Sequence, residues 1–467
     1  MHILIVANGF PPRDLGGVES YSQSLARGLQ QRGLQVSVFC RASDLGLPDG
    51  QALDGWEDGL RVLRVVNDNK RIASFAESYS SPLVEQVFTG CLDELRPDLV
   101  HFNHLAFLSV GLPAAAAARR IPAVTTLHDF WPLCQRVNLL DWQGRACPGP
   151  LHGVDCAACV SGGGSGLQTA NRLSGLARWV KRFSTPALRR RLRAWLPGAA
   201  GQASVLQAGP EIFDRRFQVF SQSLQLTSLA LAPSEFVRRQ YLANGFPAGR
   251  LQVLPLGIEI EPGADHPALP VPPLDSQTSP GDPAALRAGY IGAFLPSKGL
   301  DLLLQAFRRL EAPHARLLIY GRQAGAPPHY LRQLTAAAAG DPRIVFQGEF
   351  PPARRAAIYR GLDVLVVPSR VPESFSLVAR EAQAAGVPVI AANTGALPEA
   401  VTDGVNGFLF DAGDADRLAD LLRRAAQPGL LGRLTCPGPL EVLTPAEHAA
   451  RVEQVYRQAL RSAGEAA

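Results

Sequence analysis

Short apolar runs alternate with helical patterns along most of the chain, and this alternation constrains the fold more than any other feature. In the first half, strand-like runs occupy residues 2–7, 35–39, 61–66, 98–102 and 123–127. Amphipathic stretches such as 18–32 and 82–96 lie between them. Because strands that are apolar on both faces must be covered on both sides, the pattern predicts a parallel sheet with helices on its two faces.

The second half repeats the pattern, so a second sheet is expected. Its strand-like runs cover residues 290–291, 317–320, 344–346, 364–367 and 389–391, with helical patterns near 299–310, 375–386 and 415–426. A chain of 467 residues is also too long for one ordinary hydrophobic core. The sequence therefore predicts an α/β fold of two doubly wound, Rossmann-like lobes that face a central cleft.

A stretch rich in Pro, Asp, Ser and Gly separates the two halves. Such a composition is typical of a linker. The predicted organisation is a first lobe at 1–265 with a cysteine-rich insertion at 134–159, a linker at 266–284, a second lobe at 285–440 and a terminal segment at 441–467. The terminal segment has a helical pattern over 445–462, and we expect this helix to pack back on the first lobe.

Composition and charge exclude several classes of protein. The chain has 46 basic and 41 acidic side chains, and its net charge of +5 is too small to indicate nucleic-acid binding. The apolar N-terminal run lacks the basic start and cleavage site of a signal peptide, and no window reaches the roughly 18 apolar residues of a membrane span. We therefore expect a cytoplasmic protein, in which seven cysteines indicate thiols or a metal site rather than disulfides.

The strongest motif follows the predicted strand that ends at Pro368. Glu373 lies in the loop before a predicted helix, and Glu381 lies about two turns inside that helix. Ser374 or Ser376 is expected to cap the first turn. The free amides and positive dipole of a helix N-terminus suit a diphosphate, and a carboxylate beside it can accept hydrogen bonds from sugar hydroxyls.

A second loop runs from Gly292 to Gly299 and opens another predicted helix. Lys298 supplies a positive charge there that is well placed for phosphate. Both loops follow predicted strands, and open α/β sheets bind ligands beyond the carboxyl ends of their strands.

Together these motifs resemble the family 4 glycosyltransferases, whose pattern is Glu, seven residues and Glu, followed by Ala and a short Gly-x-Pro-Val-Ile strand. The matching elements are Glu373, Glu381, Ala382, 386–390, the Thr-Gly-Ala-Leu-Pro-Glu run at 394–399 and the turn at 403–407. The match covers most of 286–430. A lone pair of glutamates is more often two solvated carboxylates, but here several independent local features agree.

The resemblance implies a GT-B fold, a nucleoside diphosphate-sugar donor, retention of configuration and catalysis without a donor-bound metal. It implies that Glu381 holds the ribose, Glu373 holds the donor sugar and Lys298 stabilises the departing diphosphate. The other donor contacts that we predict with it are Gly16 and Gly17 in the first lobe and Ser374, Phe375, Ser376 and Leu377 in the second. The run Asp414-Ala415-Asp416 is interpreted as a helix cap and not as a metal motif.

The phosphate-binding loop departs from the family at one position. The family usually has Arg after the first glycine of this loop, where this chain has Ala293. Arg322 and Arg370 are the candidates to take its place, although a surface arginine without a role is the commoner case for each. The departure concerns the leaving group more than the class of reaction.

Two elements of the first lobe also match the family. Gly16 and Gly17 follow the first predicted strand in a loop that, by resemblance, faces the donor phosphates; an ordinary loop is the alternative. His101 and His128 each stand at a predicted strand end, and the resemblance places His128 beside the reacting sugar, with Asp129 next to it. A lone histidine is more often structural than catalytic.

Four of the seven cysteines, Cys134, Cys147, Cys156 and Cys159, follow shortly after this histidine. The last two form Cys-Ala-Ala-Cys, a spacing at which two thiolates can share one metal ion. Our hypothesis is a structural zinc that orders a loop over the acceptor side, with His152 as a spare ligand. The insertion resembles one typical of a family subgroup, and a reduced, metal-free loop is the alternative.

The segment 179–196 interleaves basic residues with apolar ones. Basic amphipathic segments can lie on anionic membranes, although a solvated helix face is the commoner case. Peripheral contact of this kind would place the protein at the inner face of the membrane and would suit a lipid-linked acceptor.

The sequence thus predicts a retaining glycosyltransferase that acts on a glycan or lipid-linked acceptor in cell-surface polysaccharide synthesis. It predicts no cofactor for catalysis and no nucleic-acid partner. Three alternatives stay open: a sugar phosphorylase of the same fold, a nucleotide-sugar epimerase, and a non-catalytic nucleotide-sugar binder. The donor base, the sugar and the acceptor are not predicted.

Overall fold

The computed structural model describes residues 1–43, 46–68, 72, 74–152, 155–160, 211–260, 286–323, 325–436 and 442–465. The predicted linker at 266–284 and the basic segment at 179–196 lie outside these residues. Contacts between residues divide the chain into two units. Unit 1 contains Met1–Pro233, Val237–Leu254 and Ala449–Ala467, and unit 2 contains Ser234–Phe236 and Pro255–His448.

The described part of unit 1 contains an eight-stranded sheet. Its strands are β1 (His2–Ala7), β2 (Gln35–Ala42), β3 (Ala52–Glu57), β4 (Leu60–Val66), β5 (Leu99–Phe102), β6 (Ala123–Thr126), β7 (Leu229–Ala232) and β8 (Leu251–Val253). Their order across the sheet is β3-β4-β2-β1-β5-β6-β7-β8. Neighbouring strands are parallel, except that β3 and β4 are antiparallel.

Helices accompany these strands along the chain, and all but the shortest bury apolar side chains. They are α1 (Gly17–Gln31), α2 (Pro82–Leu95), α3 (Leu112–Ala118), α4 (Cys156–Val160), α5 (Glu211–Gln225) and α6 (Glu235–Ala243). The sequence sets the start of α2, because Ser81 accepts the Val84 amide and Pro82 occupies the first turn. Phe88 of α2 then packs against Phe39 and Phe102 of the sheet, and burial of a side chain of this size stabilises the fold by about 2 kcal/mol.

The described part of unit 2 contains a six-stranded sheet in which all neighbouring strands are parallel. Its strands are β9 (Arg287–Ile291), β10 (Arg316–Tyr320), β11 (Ile344–Gly348), β12 (Val364–Val367), β13 (Val389–Ala392) and β14 (Gly407–Phe410), in the order β11-β10-β9-β12-β13-β14. The chain order reverses between β9 and β12. Open α/β sheets bind ligands beyond the carboxyl ends of their strands at such a switch point.

The helices of unit 2 connect these strands. They are α7 (Leu300–Arg308), α8 (Pro328–Ala338), α9 (Arg355–Arg360), α10 (Leu377–Ala384), α11 (Leu397–Ala400) and α12 (Ala415–Ala425). A longer helix, α13 (Pro445–Glu465), follows. From Ala449 onward its residues belong to unit 1, where the Tyr456 hydroxyl lies 2.7 Å from His101 Nδ1 and Glu453 pairs with Arg32 at 2.6 Å.

The two sheets confirm the predicted fold class of two doubly wound, Rossmann-like α/β units. The prediction of a purely parallel first sheet is wrong at one edge, where β3 forms an antiparallel hairpin with β4. The strands β7, β8 and β14, which have three or four residues each, were not predicted. Within the described ranges, every helix is too short or too polar to cross a bilayer.

Candidate active site

Lys298 and Glu373 meet beyond the carboxyl ends of β9 and β12, where the order of the unit 2 sheet reverses. Lys298 Nζ lies 2.7 Å from Glu373 Oε1. The Ser369 hydroxyl donates a hydrogen bond to the same carboxylate oxygen. The Glu373 side chain is 13% exposed, whereas Lys298 keeps 36%. A buried carboxylate and a solvent-accessible ammonium therefore lie together at the switch point, the position where such folds bind ligands.

Close backbone approach fixes this contact. A Cβ atom at Gly299 would overlap the Pro368 carbonyl oxygen, and one at Gly395 would overlap the backbone nitrogen and oxygen of Glu373. Both glycines also have positive φ, +70° and +63°, so these positions require glycine on two counts. The Ala396 amide donates to the Glu373 carbonyl at 2.8 Å. At Gly299 and Gly395, the loops after β9 and β13 therefore approach the backbone of the loop after β12 directly, with no side chain between them.

Electrostatics keep Glu373 ionised. Burial raises the pKa of this carboxyl, but the Lys298 ammonium and the hydrogen bonds from Lys298 and Ser369 outweigh burial and hold its pKa below the ordinary value. An ionised carboxylate accepts hydrogen bonds and donates none. Glu373 is thus prepared to accept hydrogen bonds from hydroxyl groups, as the sequence predicts for a residue that holds a sugar.

The loop after Glu373 enters α10 through a strained residue. Ser376 has φ 61° and ψ 78°, in the left-handed region that residues with side chains rarely adopt. It directly precedes Leu377, the first residue of α10, but its hydroxyl makes no capping hydrogen bond. The predicted cap is therefore wrong for Ser376, because a capping residue needs extended backbone. The first-turn amides of α10 have no acceptor within the helix and can meet an anionic group.

Arg380 supports this loop from inside α10. Its guanidinium lies 3.8 Å from the centroid of the Phe375 ring and donates a hydrogen bond to the Phe375 carbonyl. Burial lowers the pKa of Arg380 to about 10. The neighbouring Ser374 is tied down separately, because its carbonyl accepts the Ser234 hydroxyl at 2.6 Å. Contacts with Arg380 and Ser234 thus fix the backbone of the segment from Ser374 to Leu377, the predicted donor contacts.

Glu381 lies inside α10, and its carboxylate has two partners. The Tyr359 hydroxyl donates to Oε2 at 2.7 Å, and Arg355 Nη1 lies 3.3 Å from Oε1. Burial raises the pKa of Glu381, and the Arg355 charge and the Tyr359 hydrogen bond only partly offset this. Arg355 is shared with Glu259, which it meets at 2.6 Å. Tyr359 and Arg355 were not predicted from the sequence, because only the fold brings them to Glu381.

The two candidates to replace the missing arginine differ in their surroundings. Arg370 holds the Asp301 carboxylate with both terminal nitrogens, at 2.6 and 2.7 Å. Its charge is therefore already paired, which does not support the role of a spare phosphate ligand. Arg322 is partly buried, and within the described ranges no ion pair involves its side chain.

In unit 1, the predicted glycine loop leads directly into α1. Gly16 is an extended residue before the helix and Gly17 is its first residue. A Cβ atom at Gly16 would overlap the Glu19 carboxylate, whereas one at Gly17 would meet open space. Neither position requires glycine for its own backbone geometry, and the role of the two residues as donor contacts stays a prediction.

Asp129 pairs with His104, a residue that was not predicted as part of the site. His104 Nε2 lies 2.8 Å from Asp129 Oδ2, and the Trp131 amide donates to Oδ1 at 2.9 Å. Burial lowers the pKa of His104, but the charge of Asp129 and its hydrogen bond outweigh burial and raise it. His104 follows β5 as Asp129 follows β6, and adjacent parallel strands bring such ends together. That placement is the signal that could have identified His104.

The two predicted histidines of unit 1 lie in different surroundings. His128 is largely buried and packs edge-on against Tyr21, with 4.6 Å between ring centroids. His101 is fully buried, and its Nε2 lies 2.8 Å from Thr126 Oγ1. His101, with both ring nitrogens engaged within unit 1, has a structural environment. His128 lines the same small cavity as His104 and Asp129.

The four cysteines of the insertion line one cavity beside Arg216 of α5: Cys134, Cys147, Cys156 and Cys159. All are free thiols, and burial raises the pKa of Cys156 to about 11, with the other three adding to the shift. Nevertheless, across the described part of the chain no group of three or more His, Cys, Asp or Glu side chains is arranged to hold a metal ion. Zinc binding at this position stays a prediction that requires the loop to tighten.

Comparison with known families agrees with this geometry. Residues 281–428 match the model of the family described as Glycosyl transferases group 1, and residues 15–164 match the model of Glycosyltransferase Family 4. The first match contains Lys298, Glu373 and Glu381. The second contains the glycine loop, the histidines and the whole cysteine-rich insertion.

Known proteins resemble the chain in sequence and in fold. It is 27% identical to D-inositol 3-phosphate glycosyltransferase of Acidothermus cellulolyticus over 90% of this chain and 80% of that protein. It is 42% identical to the Corynebacterium efficiens enzyme of that name, over 28% of this chain and 34% of the relative.

Among solved structures, sucrose-phosphate synthase from Thermosynechococcus elongatus has a TM-score of 0.59 at 19% identity and covers 99% of both chains. The Anabaena protein HepE, solved in complex with UDP-glucose, has a TM-score of 0.56 at 17% identity over 100% and 99% of the two chains. At these identities, the likeness concerns the fold alone.

Proposed function

We propose that this chain, a glycosyltransferase of the GT-B fold with a group 1 second half and a Family 4 first half, transfers a sugar from a nucleoside diphosphate-sugar with retention of configuration. The observation that carries the proposal is the Lys298–Glu373 contact beyond the strand ends at the switch point of unit 2. It puts a cation for phosphate and an acceptor of hydroxyl hydrogen bonds in one place. The acceptor that we propose is a glycan or lipid-linked hydroxyl.

The proposed roles follow from the surroundings of each residue. Glu373, ionised and largely buried, accepts hydrogen bonds from the donor sugar. Lys298, still partly exposed, stabilises the departing diphosphate together with the first-turn amides of α10, which is electrostatic catalysis aimed at charge that grows during the reaction. Glu381, held by Tyr359, accepts the ribose hydroxyls. His128 is proposed to act beside the reacting sugar.

The way Glu373 is engaged argues against a covalent intermediate, in which this carboxylate would attack the sugar. A carboxylate bound by an ammonium and a hydroxyl is stabilised as an anion, which favours hydrogen bonding over attack on the sugar carbon. We propose retention on the resemblance to the family, and without a covalent intermediate it requires that the acceptor hydroxyl attacks from the face that the diphosphate leaves. We also propose that the donor needs no metal, since the Asp414 carboxylate caps α12 by accepting the Arg417 amide at 2.8 Å.

The proposed setting is cell-surface polysaccharide synthesis at the cytoplasmic side of the membrane. A lipid-linked acceptor would explain a basic amphipathic segment such as 179–196. The solved neighbour with UDP-glucose supports a donor of that chemical class.

The first experiment is a thermal-shift screen against UDP-, GDP- and ADP-sugars, because a ligand that binds the native state alone raises its stability. Turnover of the stabilising donor is then measured for Glu373→Gln and Lys298→Ala. We expect each to lower turnover by about 100-fold or more. The matched control is Asp363→Asn, which removes the negative partner of an equally exposed cation, Arg287. This pair lies at the amino ends of β9 and β12, away from the site.

The outcomes separate the candidate functions. Turnover that both site variants leave unchanged would refute the proposed site. Product formation that requires inorganic phosphate would indicate the phosphorylase, and an altered donor formed without acceptor, seen by NMR, would indicate the epimerase. Stabilisation by a nucleotide-sugar without any turnover would favour the non-catalytic binder. An inverted anomeric configuration in the product would refute retention.

A further inference from the structure

We infer that Arg370 and Asp301 are positioning residues that hold the turn carrying Lys298 against the loop carrying Glu373. The inference deepens the proposed function and rests on it for the role of Lys298. It assigns Arg370 a different task from the one that the missing family arginine performs.

Arg370 connects the two loops through four contacts. Its backbone amide donates to the Ser297 carbonyl at 2.8 Å, and its Nη1 donates to the Pro296 carbonyl at 3.0 Å. Both carbonyls belong to the turn that contains Lys298. The two terminal nitrogens of Arg370 also hold the Asp301 carboxylate at 2.6 and 2.7 Å. Arg370 itself lies between Ser369 and Glu373 on the neighbouring loop.

Asp301, the partner of Arg370, is itself fixed by a further hydrogen bond. The Tyr330 hydroxyl of α8 donates to Asp301 Oδ1 at 2.7 Å. Asp301 lies in the first turn of α7, directly after the turn that Arg370 binds. A planar guanidinium that makes two parallel bonds to a carboxylate fixes its orientation as well as its distance. The contacts of Arg370 with Pro296, Ser297 and Asp301, which we call the clamp, thereby fix both ends of the segment from Pro296 to Asp301.

The clamp is needed because Lys298 cannot fix the position of its own ammonium. Lysine has a long flexible stem and a single terminal ammonium, so the side chain does not fix its own position. The position of the ammonium is set by its contact with Glu373 and by the distance between the two loops. Lys298 Nζ reaches Glu373 at 2.7 Å although the two residues lie on different loops. If the turn moved by about 1 Å, the group that meets the diphosphate would be misplaced, and a displacement of this size can cost about 100-fold in rate.

The experiment compares Arg370→Ala, Arg370→Lys and Asp301→Asn with a matched control, Arg343→Ala. Arg343 also holds a carboxylate through two nitrogens, that of Asp341, and also donates to two backbone carbonyls, those of Leu310 and Ala312. It lies before β11, at the edge of the sheet away from the site. The control therefore loses the same kind of clamp in the same unit.

Two readouts are used. For turnover of the donor, we expect Arg370→Ala to lower kcat about 10-fold and to leave the donor KM within about 3-fold, because positioning acts on the reacting geometry. Arg370→Lys keeps the charge without the fork and should recover only part of kcat, whereas Arg343→Ala should keep wild-type values. Equal kcat in Arg370→Ala and Arg343→Ala would overturn the inference.

The second readout does not depend on activity. Lys298 is one of three lysines, with Lys70 and Lys181, so its labelling by an amine reagent can be measured by mass spectrometry without donor. An ammonium in an ion pair reacts slowly; we therefore expect at least about 3-fold faster labelling of Lys298 in Arg370→Ala, as in Glu373→Gln. Unchanged labelling would overturn the inference. A wild-type chain without donor turnover would refute the proposed function, while the labelling result would still decide the positioning claim.

Discussion

A substitution at Gly395 tests directly whether the close backbone approach fixes the position of Glu373. Alanine there meets two separate penalties. Its φ of +63° lies in the left-handed region, which costs a residue with a Cβ atom about 1 kcal/mol or somewhat more. The new Cβ would also overlap the backbone nitrogen and oxygen of Glu373, and overpacking against atoms that cannot rotate away typically costs ~1–3 kcal/mol. We expect a total loss of about 3 kcal/mol in the free energy of unfolding.

Gly404 offers a matched control. Its φ is +73°, close to that of Gly395, but a Cβ atom there would meet no other atom within 4 Å. Gly404→Ala therefore pays the backbone penalty without the overlap, and should lose about 1 kcal/mol. The difference between the two variants, about 2 kcal/mol, isolates the close approach of Gly395 to Glu373.

Urea unfolding followed by far-UV circular dichroism measures the two losses of stability, and donor turnover measures the effect on the site. Relief of the overlap must move Glu373 and weaken the hydrogen bond from the Ala396 amide, so we expect Gly395→Ala to lower turnover by about 100-fold. Gly404→Ala should stay within about 2-fold of wild type. Equal stability losses in the two variants, or full turnover in Gly395→Ala, would refute the reasoning.

Three further predictions concern unit 1. The pKa of His104 is raised in the fold, so protonated His104 adds stability that is fully present below its unfolded pKa of about 6.5 and is lost as pH rises through the folded pKa. Urea midpoints measured between pH 6 and 9 should show this loss in the wild type and a flatter profile in His104→Asn. The zinc hypothesis predicts about one equivalent of zinc per chain, lost in Cys156→Ser, and less than about a tenth of an equivalent with four free thiols would end it. Flotation with anionic liposomes should show salt-sensitive binding that deletion of 179–196 removes, and equal flotation with neutral lipid would argue against membrane contact through charge.

The sequence predicted those parts of the site whose signals lie within a few residues of each other. Glu373 and Lys298 each follow an apolar strand and precede a helix, and the order strand, loop and helix fixes the edge of the sheet at which they lie. Their contact at 2.7 Å depends on β9 and β12 being parallel neighbours. The alternation of strands and helices indicated parallel strands, but it did not indicate which strands are neighbours. The role of each residue stays a prediction.

The partners of these residues could not be predicted in this way. Tyr359 meets Glu381 and Arg370 meets Asp301 across separations that only the folded sheet closes. Ser376 was expected to cap a helix from its residue type, but the packing of the loop imposes a left-handed backbone that prevents this.

One missed element did carry a local signal. Asp58 and Gly59 have φ of +50° and +75°, the two positive values of a two-residue hairpin turn, and Asp-Gly is among the strongest hairpin dipeptides. The antiparallel pair of β3 and β4 could therefore have been predicted from this dipeptide.

The ion pair between Lys298 and Glu373 also limits the electrostatic attraction that the site can offer to the proposed donor. Lys298 and Glu373 carry one charge of each sign, so together they present no net charge to an arriving diphosphate. The ammonium has three N–H donors, and after its bond to Glu373 two remain for phosphate oxygens. In the proposed reaction, ground-state binding of the donor would then draw largely on the first-turn amides of α10 and their dipole, whereas Lys298 would contribute most as charge grows on the leaving oxygen.

An interaction that strengthens in the transition state raises kcat, and one that is equal in both states changes KM. Lys298→Ala should accordingly lower kcat by about 100-fold and raise the donor KM by less than about 10-fold. Steady-state kinetics with saturating acceptor measures both constants. A variant with unchanged kcat and a KM raised about 100-fold would show that Lys298 serves donor binding and not departure of the leaving group.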